Sequence, residues 1–107
     1  MDNHERYAGY QEDANLLAAI GELVDAQVGR VTVRLPKTVA EAAVAAWERD
    51  DPYEDTLETT EQREVRGKAA DLAMIGLEIS QRGRVEGEEV VVDLRVGLAG
   101  AAVVASL

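Results

Sequence analysis

The side chains that could carry chemistry are few in this chain of 107 residues, and none stands in a catalytic pattern. Cysteine is absent, so disulfides, thiolate metal sites and a cysteine nucleophile are out of reach. The single histidine, His4, lies in the polar stretch MDNHERYAGYQED, where a loose side chain makes a poor base or ligand. Serine occurs only at Ser80 and Ser106, and no predicted helix or strand carries a histidine to activate either. A zinc site would need His or Cys ligands that the chain does not supply. Carboxylates abound. Glu64, Asp71 and Glu78 recur at heptad spacing on one predicted helix, which reads as a solvated face neutralised by neighbouring bases. The run DDPYEDTLE at 50–58 is dense in acids but lacks the alternating oxygen ligands and central glycine of a calcium loop. It reads as a solvated linker. No glycine-rich loop follows a strand with phosphate-binding spacing. The residues therefore assign no catalytic group, no cofactor and no metal, and the expectation is a protein that is not an enzyme.

Composition narrows the class further. With 47% hydrophobic residues the chain can build a core, and its length suits one domain. That core is rich in Ala and Val, with no Phe and one Trp, so each side chain buries little area. A homo-oligomer is the expected remedy. The formal charge of -10 repels phosphates and anionic membranes unless bases segregate into a patch. MDNHERYAGYQED lacks the basic and apolar regions of a secretory signal and is not expected to act as one, and the apolar run Val96–Leu107 is too short to span a bilayer. The expectation is a cytoplasmic protein without membrane contact. The excess of Arg over Lys, with abundant Ala and Val, points to a GC-rich bacterial genome.

Positioning falls to a short series of elements. Residues 1–13 show no periodicity and are expected to form a mobile arm, which Tyr7 and Tyr10 could pin to the body. The domain proper is expected to span 14–107. Leu16, Leu17, Ile20, Leu23 and Val24 mark one face of a helix over 14–28, capped by Asp13 and stopped by Gly29. Val31, Val33 and Leu35 alternate with Arg30, Thr32 and Arg34 in a strand over 30–35. Thr38 and Glu41 then have capping-box spacing, opening a helix over 39–50 with Trp47 inward. A longer helix over 60–82 buries Val65, Ala69, Leu72, Ala73, Gly76 and Ile79, three of them small enough for another backbone to approach. Glu78 and Arg82 should pair on its exposed side. Strands over 84–86 and 88–94 follow, turning at Glu86-Gly87, and consecutive Val90, Val91 and Val92 imply cover on both faces. The final segment, 98–107, is apolar all round and must be buried or lie in an interface.

Two stretches echo each other. Val31–Ala46 and Val90–Ala105 match at Val31/Val90, Val33/Val92, Leu35/Leu94, Ala40/Ala99, Ala43/Ala102 and Ala46/Ala105, among others. The match predicts two strand-to-helix corners lying side by side.

The stretch VTVRLPKTVAEAAVAAW resembles the start of ribbon-helix-helix DNA-binding proteins. That resemblance implies a dimer whose strand reads operator bases, with Arg30, Thr32 and Arg34 at the outward positions. The order of helices and strands, ending in EISQRGRVEGEEVVVDL, is similar to a winged helix. That likeness implies Arg63, Arg66 and Lys68 toward a groove and Arg84 on the wing. Both resemblances stop at the acidic linker, which separates helices that either family joins tightly.

The resulting expectation is an α+β fold in the order α-β-α-α-β-β-α, with a two- or three-stranded antiparallel sheet packed by three or four helices. It is a homodimer sealed by small-residue helix faces and by residues 96–107. The preferred function is a non-catalytic interaction or regulatory module that offers an acidic surface to a basic protein. Trp47, Asp51, Tyr53, Glu54 and Asp55 are the candidate interaction surface. Under the alternative, a DNA-binding regulator, Arg30, Arg34, Arg66 and Arg84 are the candidate nucleic-acid contacts.

Overall fold

The computed structural model describes residues 3–27, 30–49 and 58–107. Along them run α1 (Asn3–Glu22), β1 (Val24–Gln27), β2 (Arg30–Pro36), α2 (Lys37–Arg49), α3 (Thr60–Arg82), β3 (Arg84–Glu86), β4 (Glu89–Arg95) and α4 (Val96–Ser106). The strands form one antiparallel sheet in the order β1-β2-β4-β3. Val31, Val33, Leu35, Val90, Val92 and Leu94 turn to one face and meet the buried sides of all four helices in one core. The fold is α+β, as the patterning predicts.

The first helix differs from its expected bounds at both ends. It starts at Asn3, so the polar stretch before Ala14 is helical, and it stops at Glu22. Nothing before Ala14 forbids a helix, because the stretch has no proline and several good helix formers. Asp13 consequently lies inside the helix and meets Arg49 at 3.0 Å, where a cap was expected. Beyond Glu22, residues 24–27 leave the helical pattern and form β1, pairing Val24 with Val33 and Ala26 with Val31. Tertiary pairing outweighs the local helical period there. Gly29, the expected stop, lies outside the described residues.

The start of α2 also moves, whereas α3 opens at Thr60 as expected. The backbone N–H of Lys37 donates to Glu88 O at 3.0 Å, so α2 begins directly at the strand end, with Thr38 already inside it. The capping box belongs instead to α3. Thr59 Oγ1 accepts from the Gln62 N–H at 3.1 Å, and the Thr59 N–H donates to Gln62 Oε1 at 3.0 Å. The turn at Glu86-Gly87 forms as predicted, with Gly87 at φ 65°, a conformation that glycine adopts without strain.

The echo read from the sequence extends over all the described elements. Each half runs helix, strand, strand, helix. In the hairpins, the pairs Asp25–Thr32, Ala26–Val31 and Gln27–Arg30 correspond to Arg84–Val91, Val85–Val90 and Glu86–Glu89. The two halves meet at β2 and β4, where Val33 lies opposite its own counterpart Val92. Val31–Leu94 and Leu35–Val90 then exchange places, as a twofold relation between the halves requires. The helices cross over: α2 packs on α3, and α4 packs on α1. Buried Ala14, Leu17, Ile20 and Gly21 of α1 recur at the same spacing as Ala69, Leu72, Ile75 and Gly76 of α3.

Glycine makes both crossings close. A Cβ at Gly76 would stand 2.0 Å from Ala43 O, and one at Gly21 would stand 2.0 Å from Ala102 O. The helix backbones therefore touch, with van der Waals contact replacing the bulk of absent aromatics. The small-residue faces expected to seal a dimer are thus occupied inside one chain.

The halves differ in the length of helix that follows these glycines. After Gly21 the chain reaches β1 at Val24, whereas after Gly76 the helix continues to Arg82 before β3. The addition is about one helical turn. It carries Glu78, Ile79 and Arg82.

Candidate interaction surfaces

Helix α4 presents the first candidate surface. Val96, Gly97, Gly100, Val103, Val104 and Leu107 fall on one arc of the helical wheel and all are exposed. Val104 is 67% exposed and Val96 54%. No residue from Val96 to Leu107 is charged. The counterpart helix α2 supplies an internal comparison. Its exposed positions are Lys37, Thr38, Glu41, Ala42, Ala45, Glu48 and Arg49, mostly the charged and polar solvent face of a packed helix. Both helices turn the same positions inward: Ala40, Ala43 and Ala46 are buried in α2, and in α4 Ala99 and Ala102 are buried and Ala105 partly so. The core requirement is therefore shared, and the charge has been lost only outside. The expected segment 98–107 is this helix, which buries one side and exposes the other.

A groove of about 440 Å³ adjoins the start of α4. Helix α3 forms one wall with Asp71, Met74, Leu77, Glu78 and Gln81, and Arg95, Gly97 and Leu98 form the other. Glu78 departs from the solvated stripe expected of it. Its side chain is 5% exposed, and it accepts from Arg82 and lies 3.2 Å from Arg95. The two guanidiniums come from α3 and from the strand end, and they make burial of the carboxylate tolerable. Asp71, also on the groove, is held above the usual carboxylate range because burial penalises its charged form. Glu64, the third member of the stripe, is exposed. Among the described residues, no group of His, Cys, Asp and Glu could hold a metal ion.

A second buried carboxylate ties the N-terminal helix to α3. Glu58 accepts from Arg66 Nε at 2.8 Å and from Arg66 Nη2 at 2.9 Å, and Tyr7 Oη donates to it as well. Arg63 stands 3.7 Å away. These hydrogen bonds, Arg66 first and Tyr7 second, hold the Glu58 carboxyl down at about 2 despite its burial. Tyr10 packs edge-on against Tyr7 at 5.4 Å. Tyr7 thus pins the N-terminal segment to the body, as its position in the sequence suggests.

The arginines proposed to meet nucleic acid do not gather into one patch. Arg66 is consumed by Glu58 on α3. Arg34 and Arg84 share the outer sheet face, on either side of Val91 in the ladder. Arg34 lies 3.7 Å from Glu86 and 3.9 Å from Glu89. Thr32 Oγ1 donates to Asp93 at 2.7 Å in the next row. Arg30 stands opposite Arg95 in the register. Val91 is buried on this face and lies outside the main core.

Trp47 is half-buried on α2 and stays outside the core cluster, so it does not fill the interior as expected. Asp51, Tyr53, Glu54 and Asp55 lie outside the described residues. Ser106 Oγ donates to Val103 O at 2.6 Å, and Ser80 is exposed on α3. No described helix is long and apolar enough to cross a membrane.

The sequence flagged the apolar C-terminal segment but not the groove beside it. Glu78, Arg95 and Gly97 come together only when α3 lies against the start of α4. Comparison with protein-family models, curated proteins and solved structures finds no match, so the chain's own residues carry the functional reading.

Proposed function

We propose that this protein is a non-catalytic interaction module that engages a protein partner through the outer face of α4. The observation that carries this reading is the contrast between two equivalent helices. Where α2 exposes Lys37, Glu41 and Glu48, α4 exposes Val96, Gly100 and Leu107 at the matching positions. An exposed apolar face favours aggregation unless something covers it, and no folding requirement explains it when α2 does the same packing with charges outside. A cytoplasmic setting suits a chain without cysteine.

The test is photocrosslinking in the source cell. A benzophenone side chain placed at Val104 should capture protein, whereas the same group at Ala45, the exposed counterpart on α2, should not. Equal capture at both positions, or none at Val104, removes the proposal.

A further inference from the structure

The geometry points to the groove between α3 and the start of α4 as a binding site for a small zwitterion, an ammonium and a carboxylate joined by an apolar chain about 10 Å long. This inference goes beyond the interaction reading above. It concerns the groove and not the outer face of α4, and the two stand or fall on different experiments.

The groove has two charged ends. Along α3, Asp71 and Glu78 are separated by about 10 Å of helix. Asp71 is a partly buried carboxylate on the groove, with no hydrogen bond or ion pair among the described residues. At the other end Glu78 is enclosed by Arg82 and Arg95, one carboxylate against two guanidiniums, so one positive charge is in excess. Arg95 meets Glu78 through Nε at 3.2 Å, and its side chain is 72% exposed. Its terminal nitrogens therefore remain open to a carboxylate in the groove. Between the two ends, Met74 and Leu77 of α3 and Leu98 of α4 supply apolar lining.

Each part of the groove selects a part of the ligand. An ammonium at Asp71 gives that carboxylate the partner it lacks, which favours its charged form. A carboxylate at Arg95 meets a planar fork of donors suited to it. The apolar chain between them lies over Met74, Leu77 and Leu98. The volume of about 440 Å³ falls within the range of roughly 300–1,000 Å³ common for small-molecule sites. Net charge decides against a plain anion, because a chain at -10 repels one unless it carries its own cation.

The first half of the chain shows that the fold does not require these charges. With Gly21 matched to Gly76, Leu16 stands where α3 has Asp71, and Leu16 packs against the core. With Leu35 matched to Leu94, Pro36 stands where β4 has Arg95. The equivalent corner carries neither charge and belongs to the same architecture. The carboxylate and the guanidinium of the groove are therefore additions to the fold.

Methionine occurs only at Met1 and Met74, so isotope labelling of the methionine methyl groups puts one NMR reporter in the groove and one far along the chain. The probe is ω-aminooctanoic acid, whose extended length matches the separation of the charged ends. Titration into the full chain should move the Met74 methyl signal to saturation and leave that of Met1 in place. Octylamine and octanoate, each lacking one charge, should bind at least about tenfold more weakly. The zwitterion itself should lose about as much on the Asp71→Asn and Arg95→Gln chains. Asp71→Asn keeps the side-chain volume, and circular dichroism checks both variants. Should Arg95→Gln fail to fold, Asp71→Asn and the singly charged probes still decide. A Met74 signal unmoved by millimolar zwitterion overturns the inference. So does equal movement of both methyl signals, equal binding of octylamine, or undiminished binding by Asp71→Asn.

Discussion

The carbonyl oxygen of Ala43 occupies the space where Gly76 would carry a Cβ, 2.0 Å from that position. Backbone cannot give way as a side chain does, so Gly76→Ala must push α2 from α3. The expected cost is about 2–3 kcal/mol, typical of overpacking in a tight core. Gly67→Ala, on the same helix with nothing within 4 Å of its Cβ, should stabilise by about 0.5–1 kcal/mol through helix propensity. Urea unfolding of the two variants checks the pair. Equal effects would mean that the crossing is looser than described.

Acid should loosen the N-terminal helix through Glu58. Its folded pKa is lowered from 4.5 to about 2, so its bonds to Arg66 and Tyr7 contribute fully above pH 4.5. That contribution fades as the pH falls from 4.5 toward 2, because the unfolded chain takes up the proton first. Wild type should therefore exceed Glu58→Gln in stability at neutral pH, with the gap closing across that window. Denaturant midpoints measured at several pH values decide it, and a gap constant with pH would refute the assignment.

Asp71 should behave in the opposite sense. Burial raises its pKa without a compensating cation, so its charge costs stability at neutral pH. Asp71→Asn should be neutral or stabilising, by up to about 0.5 kcal/mol for this half-exposed site. The same measurement on Glu78→Gln should show a loss of about 1 kcal/mol, because two arginines then lose their anion.

Salt separates two kinds of association. If the partner meets uncharged α4 through apolar contact, added salt should leave the complex intact, because no ion pair is there to be screened. A complex between an acidic surface and a basic protein would weaken instead. Sedimentation of the complex at low and high ionic strength tells the two apart.

Nucleic acid should not be retained, because Arg34 faces Glu86 and Glu89 and Arg66 is held by Glu58. A gel shift at low salt should show free DNA. A shifted band that Arg34→Ala and Arg84→Ala abolish would restore the alternative reading.

Periodicity alone located β2, β4, α2 and α3, because Val31, Val33 and Leu35, or Ala69, Leu72 and Gly76, bury themselves at the spacing of their own element. It also placed the turn at Gly87, where only local backbone geometry matters. What it could not place depended on distant partners. Residues 24–27 continue a helical pattern and become a strand because β2 offers a ladder to them. Glu78 sits in a heptad of acids and is buried because Arg95, from another element, arrives beside it. The repeat was visible in its second half, where Ala43 and Ala102 match, but hidden in α1 and α3. An added turn shifts their register, and only the positions of Gly21 and Gly76 against the opposite helices reveal the correspondence. The sequence by itself determined that α4 is uncharged. The tertiary structure decided which side of it remains open, because only packing on α1 distinguishes Ala102 from Val104.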